Sequence, residues 1–507
     1  MPGFQGTYIL NPQYKLRSDR KRVLFFYKNA DPPKGEGISD FIDFLHPLLA
    51  VLLSLFDGEK DVATIAENFS FLSGLDRATV DGLLSRLLEN KTEIKVDFGG
   101  HSFYFPLNTL VPVDTGGPVI HYDPEDFLIP GGQLDFKSQR LYVPLDAMLM
   151  LNNICVSRCV YCYVDKRVPR PCRIPFERVA DLVKEAAELG LRSFNPTGGE
   201  LFTYRYWKEL LKSLVDHHFD PYITTKYPLD ERRVSQLKDT GIKRINLSID
   251  TVDRDQMTRL LKVDGRYYDL VLNTLAYLDK HHFDICIHSQ VTSVNQDSMA
   301  DLFRYLLGFE NVTCIKVRAT AFSRFAGEGE NGDNAFSRLR PDKKKLASIK
   351  EMVFRLREEH RGRVDFSFHD SPGREAYINP FPEEKQRLFK NRAQCSGNFH
   401  SFYILPDGKV TICEELYWLP QFIIGDVLKQ SIREIWNSEQ ALALYRFSRE
   451  RVSPQSACRG CDDFDSCHSR RGVCWKQVIY AYGEENWDYP DPRCPKAPVP
   501  RNEFWIE

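Results

Sequence analysis

Three cysteines stand at CxxxCxxC spacing, Cys155, Cys159 and Cys162, just after an apolar run that ends at Leu151. Thiolates in one short loop can each hold an iron of a cubane iron–sulfur cluster, and three of them leave the fourth iron open to another ligand. A structural zinc site normally takes four protein ligands, often as two separated pairs, so the tight triplet fits an open-site cluster better. Further along lies Gly198-Gly199-Glu200. Adjacent glycines let a ligand approach the backbone closely, and Glu200 offers an acceptor for an ammonium group. A second concentration of sulfur comes late: Cys395, Cys413, Cys458, Cys461, Cys467, Cys474 and Cys494 fall within one hundred residues, against six cysteines elsewhere. That density points to metal or cluster ligands, and a pair of zinc sites is the plain alternative. Cys286 and Cys314 fall inside apolar strand patterns and read as buried structural cysteines. Cys172, in a proline-rich loop, reads as a free thiol.

The bulk numbers set the frame. A chain of 507 residues allows two to four domains. With 42% hydrophobic and 27% charged residues it is an ordinary globular composition. A net charge of −2 gives no global field for nucleic acid. No signal-peptide core opens the chain and no apolar run is long enough to cross a bilayer. Thirteen cysteines without an export signal read as cofactor ligands rather than disulfides. The expectation is a cytoplasmic protein with neither a nucleic-acid nor a membrane partner.

The elements that must position these residues fall into segments. Residues 1–105 show strands at 8–10 and 22–27, helical patterns at 40–56, 62–69 and 77–89, and a hairpin around Gly99-Gly100. Strands, three helices and a hairpin make a winged-helix-like order. Residues 106–140, rich in Pro, Gly and Asp, read as a linker with a short strand. From 141 to 375 strand and helix patterns alternate, with strands expected at 142–151, 192–195, 221–225, 244–249, 284–291, 314–319 and 364–368. Alternating βα units imply a parallel α/β sheet, here a partial (βα)6 barrel. The cysteine loop follows the first strand, at the carboxyl ends where such sheets bind ligands. Residues 376–507 form a cysteine-rich last domain.

With these motifs in place, a family resemblance emerges. CxxxCxxC with Tyr161 before the third cysteine, followed one strand–helix unit later by Gly198-Gly199-Glu200, resembles the radical S-adenosylmethionine (SAM) enzymes. The resemblance implies a 4Fe–4S cluster on Cys155, Cys159 and Cys162 whose open iron chelates SAM, and reductive cleavage of SAM to a 5′-deoxyadenosyl radical. It also implies that Gly198, Gly199 and Glu200 hold the SAM amino group, and that Ser248, in the Ser248-Ile249-Asp250 stretch, lies near SAM. Capping of the next helix is an equal reading of that stretch. The late cysteines resemble the SPASM extension, which carries two auxiliary 4Fe–4S clusters. By position in that motif, Cys458, Cys461, Cys467 and Cys494 hold the outer one and Cys395, Cys413 and Cys474 the inner one. The gap from Cys467 to Cys474 is longer than the family's, and no cysteine stands just before Cys395, so the inner cluster has either an open iron or a fourth ligand from elsewhere, such as Cys314 or a non-cysteine group. Residues 57–66 are similar to precursor-peptide recognition domains, which bind a leader peptide as an added strand.

Taken together, the resemblance implies a maturase that crosslinks a ribosomally made precursor peptide, drawing electrons from a reductant such as flavodoxin or ferredoxin. A thioether is the favoured product, since an open inner iron would bind a peptide thiolate; carbon–carbon or carbon–oxygen bonds come next. Asp250, Asp370 and Glu414 are candidate bases because acidic groups near strand ends can take a proton. The rivals are a sulfatase-type formylglycine maturase and a non-catalytic iron–sulfur or zinc regulator.

Overall fold

The fold is that of a computed structural model, which describes residues 6–29, 41–326, 335–371, 373–378, 381–470, 472–502 and 504–505. Two compact units divide the chain, Met1–Val143 and Pro144–Glu507.

In the first unit β1 (Thr7–Leu10), β2 (Tyr14–Ser18), β3 (Val23–Tyr27) and β4 (Ile42–Leu45) precede α1 (Pro47–Ser54). Then come β5 (Asp57–Asp61), α2 (Val62–Ser73), α3 (Arg77–Leu87), β6 (Ile94–Phe98), β7 (His101–Phe105), β8 (Leu110–Pro112) and the short α4 (Val113–Gly116). Three sheets result, β5-β1-β8, β2-β3-β4 and the β6-β7 hairpin. Gly99 and Gly100 turn that hairpin with φ of +57° and +79°, a conformation glycine adopts without penalty.

The helix expected over 40–56 is two elements, and residue 40 lies outside the described residues. Its first half is β4, paired with β3, and the helix begins only at Pro47. Proline disfavours helical geometry in the residue before it, so His46 is extended and caps α1, accepting from the Leu48 N–H. A run that is apolar all round satisfies a buried strand as well as a buried helix. Residues 106–140, expected as a linker with a short strand, supply that strand and pack onto this unit. β8 pairs antiparallel with β1, and Phe127 is buried. The buried Arg22 guanidinium, ion-paired with Asp19, donates to the carbonyls of Asp135, Ser138 and Arg140. A buried charge needs such acceptors, and the segment supplies them.

The second unit runs β9 (Asp146–Met150), α5 (Phe176–Glu188), β10 (Ser193–Thr197), α6 (Trp207–Asp216), β11 (Thr224–Thr225), α7 (Glu231–Asp239) and β12 (Arg244–Ser248). It continues with α8 (Arg254–Leu261), α9 (Arg266–Lys280), β13 (Asp284–Val291), α10 (Met299–Leu306), β14 (Val312–Ala319), α11 (Phe336–Leu339), α12 (Lys343–Glu359) and β15 (Asp365–His369). The helices stop where glycine permits it: Gly190 and Gly241, just past α5 and α7, have φ of +67° and +87°. β11 to β15 form one parallel sheet in sequence order. β10 and β9 pair parallel in a second sheet, and the Asn195 carboxamide oxygen bridges the gap by accepting from the Tyr222 N–H at 2.8 Å. The second unit is thus the parallel α/β arrangement expected from the alternating pattern.

Past α13 (Pro382–Lys390), β16 (Ser401–Ile404) joins β9 in parallel, and β17 (Lys409–Thr411) and β18 (Ile423–Asp426) extend the sheet antiparallel. Cys413 thus follows a strand that extends the sheet of β9, while Cys458, Cys461, Cys467, Cys474 and Cys494 lie on the loops and helices beyond β18. α14 (Ile432–Trp436), α15 (Glu439–Tyr445), α16 (Phe464–Arg470) and α17 (Trp475–Tyr482) complete the unit.

Side chains alternate along each strand. In β12 to β15 one face is apolar, with Ile245, Leu247, Ile287, Ile315, Val317 and Phe366 fully buried. The other face is polar and in register: Ser248, His288, Lys316 and Ser367 form one row, and Gln290, Arg318 and His369 the row above. No helix among the described residues is long and apolar enough to cross a membrane.

Candidate functional site

The cysteine loop leaves the end of β9 and is held from behind by two asparagines. The Asn152 amide donates to Glu200 O and Thr203 Oγ1, both at 3.2 Å, and its oxygen accepts from the Ile154 N–H at 2.8 Å. The Asn153 amide donates to Asp165 O and Val168 O, both at 2.7 Å, and its oxygen accepts from the Arg170 N–H at 2.7 Å, which closes the loop. Neither asparagine was singled out from the sequence, although Asn152-Asn153 stands directly before the motif.

The glycines serve this same junction. A Cβ on Gly198 would lie 2.4 Å from Asn152 O, and one on Gly199 2.5 Å from the backbone of Asn153 and Ile154. The Gly199 N–H donates to Asn152 O at 2.6 Å. On the side where a Cβ would stand, the cysteine loop's own backbone lies against the pair. The pair seats one motif against the other.

Glu200 is 4% exposed. Its carboxylate accepts from Thr225 Oγ1 (2.8 Å), Lys226 N (3.2 Å) and Phe202 N (3.3 Å). Burial pushes its carboxyl up to about 7 against these hydrogen bonds. All three donors are neutral, so a ligand ammonium would find an uncompensated carboxylate here.

Tyr161 and Asp250 meet. The Tyr161 hydroxyl donates to Asp250 Oδ2, which also receives Lys226 Nζ at 3.1 Å, while Oδ1 accepts from the Gln290 N–H at 2.9 Å. With three donors and 3% exposure, Asp250 braces Tyr161 and Lys226 against β13. Ser248 ends β12 in the polar row beside His288, whose Nε2 lies 2.8 Å from the Tyr222 hydroxyl. Asp370 is exposed past the end of β15 and lines a surface cavity with Lys343, Lys350 and Glu375, away from the cysteine loop. Glu414 is half-buried, follows Cys413 directly and accepts from the Tyr163 hydroxyl at 3.1 Å. Burial and then Glu415 raise its carboxyl.

The thiols gather in groups. Burial pushes Cys155 up to about 12, with Cys162 and Cys159 adding to it. Lys166 faces all three: burial lowers its ammonium but the thiols outweigh that and raise it. Burial pushes Cys458 up to about 12, with Cys494, Cys467 and Cys461 nearby contributing. Arg392 Nη2 stands 3.4 Å from Cys467 Sγ and Lys496 Nζ 3.4 Å from Cys461 Sγ. Burial, then Cys474, raises Cys395 to about 12, and the Lys476 ammonium acts on both Cys474 and Cys413. Among the described residues no three His, Cys, Asp or Glu side chains converge on one ion. In a cubane each thiolate holds its own iron, so convergence on a point is not required. Sulfur-rich groups flanked by Lys166, Arg392 and Lys496 fit anionic iron–sulfur clusters.

Residues 149–306 match the radical SAM superfamily, and residues 395–462 match SPASM, an iron–sulfur cluster-binding domain. The chain carries a radical SAM domain and a SPASM domain. The radical SAM part is 28% identical over 162 residues to a probable GTP 3′,8-cyclase of Methanocella arvoryzae, covering 32% of this chain and 52% of that protein. The chain thus spans about half the length of the GTP cyclase relatives it matches. A PqqA peptide cyclase of Granulibacter bethesdensis is 23% identical over 364 residues, 70% of this chain and 88% of that one. In fold the chain is similar to Streptococcus suis SuiB bound to S-adenosylmethionine, with a TM-score of 0.62 at 14% identity over 96% of this chain and 99% of that one. SuiB bound to precursor peptide SuiA gives 0.59 with the same coverage. SAM and 4Fe–4S clusters are the cofactors these two domains imply.

Proposed function

We propose that this chain is a radical SAM maturase that crosslinks a ribosomally synthesised precursor peptide. The observation that carries the reading is the meeting of Tyr163 and Glu414, which brings the loop of Cys162 against the loop of Cys413. Radical generator and auxiliary cluster then serve one reaction space. The peptide as substrate is supported by similarity over 70% of the chain to a peptide cyclase and by a fold shared with a protein bound to a precursor peptide.

Cys155, Cys159 and Cys162 would hold the SAM-binding cluster, and Glu200 would receive the SAM ammonium, with Ser248 and Tyr161 beside it. Cys458, Cys461, Cys467 and Cys494 would hold the outer auxiliary cluster, and Cys395, Cys413 and Cys474 the inner one. When bound, these groups supply hydrogen-atom abstraction from the peptide and an acceptor for the electron left after bond formation. Glu414, beside Cys413 and Tyr163, would take the accompanying proton. Residues 1–143 would recognise the leader, and a flavodoxin or ferredoxin would supply the reducing electron.

The bond formed turns on the fourth position of the inner cluster. An open iron takes a peptide thiolate and favours a thioether. An occupied one leaves the cluster as electron acceptor for a carbon–carbon or carbon–oxygen bond.

Iron and sulfide analysis of the anaerobically reconstituted chain tests the cofactor assignment, with roughly 12 irons expected from three cubanes. Reduction in the presence of SAM should release 5′-deoxyadenosine. Zinc in place of iron, or no SAM cleavage, would overturn the proposal.

A further inference from the structure

β14 stands between β13 and β15, and its two faces differ. Ile315, Val317 and Ala319 are buried on the apolar face. Lys316 and Arg318 stand on the polar one, and Arg318 is exposed although a strand flanks it on either side. That face is therefore open beside Arg318, near the carboxyl end of the strand, where parallel sheets bind ligands. Arg318 makes no hydrogen bond or ion pair among the described residues.

The neighbouring acids are engaged elsewhere. The two polar rows hold Ser248, His288, Lys316 and Ser367, then Gln290, Arg318 and His369, with no acid among them. Asp250, just past β12, is held by Lys226, Tyr161 and the Gln290 N–H. Glu414 is bonded to the Tyr163 hydroxyl; burial, then Glu415, raises its carboxyl, and the Arg318 charge opposes them. Arg318 thus lies within electrostatic reach of the Cys413 loop. Lys316 adds a second positive charge on the same face, about 7 Å back along the strand, with its ammonium 5.4 Å from the Tyr222 ring centroid. Like charges at that spacing repel, and a bound anion relieves the repulsion. Arginine's planar fork matches a carboxylate through two parallel hydrogen bonds.

We propose that Arg318 binds the side-chain carboxylate of an Asp or Glu in the core of the peptide, and so fixes which core residue stands at the mouth of the barrel. The proposal rests on the maturase reading and names a feature of its substrate. SAM also carries a carboxylate, on the same carbon as its ammonium. With that ammonium at Glu200, which accepts from Thr225 on β11, the SAM carboxylate stays three strands away from β14, or about 14 Å across the sheet. The peptide is the source that reaches Arg318.

The test uses reconstituted holoenzyme, SAM and the peptide of a short open reading frame beside this gene, made with each core Asp and Glu replaced in turn by its amide. Arg318→Gln should raise the peptide KM about 10- to 100-fold, the worth of hydrogen bonds to a charged group, and Arg318→Lys should recover part of that. SAM affinity, read by equilibrium binding without peptide, should match wild type. One peptide amide should show the same loss with wild-type protein and no further loss with Arg318→Gln. A core that is modified although it holds no Asp or Glu, amides that all behave as the parent peptide, or a loss in SAM affinity instead of peptide KM would overturn the proposal. The peptide series decides it with wild-type protein alone should Arg318→Gln fail to fold. Failure of the maturase reading shows separately, as wild-type holoenzyme that cleaves SAM and leaves every peptide unmodified.

Discussion

The Tyr163 hydroxyl donates to Glu414 Oε2 at 3.1 Å, and each residue directly follows a cysteine, Cys162 in one loop and Cys413 in the other. Two loops whose joined residues lie 251 positions apart in the chain thereby meet side chain to side chain. β9 and β17 flank β16 in one sheet, parallel and antiparallel to it, so the strand before the Cys162 loop and the strand before Cys413 share that sheet.

If Glu414 takes the proton of bond formation, Glu414→Gln keeps the shape and removes the base. SAM cleavage should persist while peptide product falls by about 10²–10⁴-fold, the usual worth of general base catalysis. Quantifying 5′-deoxyadenosine against modified peptide by mass spectrometry separates the two. A parallel loss of both would mean that Glu414 holds the cluster loop rather than handling the proton.

Gly198 has φ +145° and no room for a Cβ beside Asn152 O. Gly198→Ala should lower stability by roughly 3 kcal/mol, because this backbone region is essentially confined to glycine and the clash adds to it. Gly265→Ala, at a position open to space, should be nearly neutral. Chemical denaturation of both variants checks the contrast.

Lys226 and Asp250 form an ion pair with side chains 18% and 2% exposed. Removing one partner of a buried pair costs about 3–5 kcal/mol, and Lys226→Met should approach the lower end, since Tyr161 and the Gln290 N–H still serve Asp250. The double variant Lys226→Met/Asp250→Asn should recover part of the loss. Equal denaturation midpoints for wild type and Lys226→Met would contradict this.

Asp146, at the start of β9, is largely buried, which alone would raise its carboxyl; the neighbouring His400, 3.4 Å away, and the Arg192 guanidinium outweigh that and hold it well below the usual aspartate range. A depressed carboxyl contributes stability that is fully present above the ordinary aspartate pKa and is lost as pH falls through the folded value. Unfolding free energy should therefore decline steeply on the acid side, and Asp146→Asn should flatten that decline. Urea titrations between neutral pH and strong acid measure it.

Cluster motifs were legible because cysteine spacing survives folding unchanged. The strands of the second unit were legible because their apolar face repeats every second residue. The polar row Ser248, His288 and Lys316 follows from the same alternation, yet it becomes visible only once register aligns three strands. Lys166 and Lys226 were hidden because a lysine's partner is set by tertiary approach: one faces three thiols, the other Asp250. The glycines of Gly198-Gly199-Glu200 were noted for a close approach to their backbone. Close backbone approach was readable, but not that Asn152 to Ile154 makes it. Residues 42–45 became a strand because β3 offered an edge to pair with, which no local pattern reveals.

The central claim is that radical SAM chemistry here is spent on crosslinking a peptide. Its most direct test is to find a short open reading frame beside this gene and to follow the encoded peptide by mass spectrometry after incubation with reduced holoenzyme and SAM. The account predicts loss of two hydrogens from the peptide with concurrent 5′-deoxyadenosine, and neither with Cys155, Cys159 and Cys162 all replaced by alanine. A peptide left unchanged while 5′-deoxyadenosine accumulates, or one modified equally by the triple variant, would contradict it.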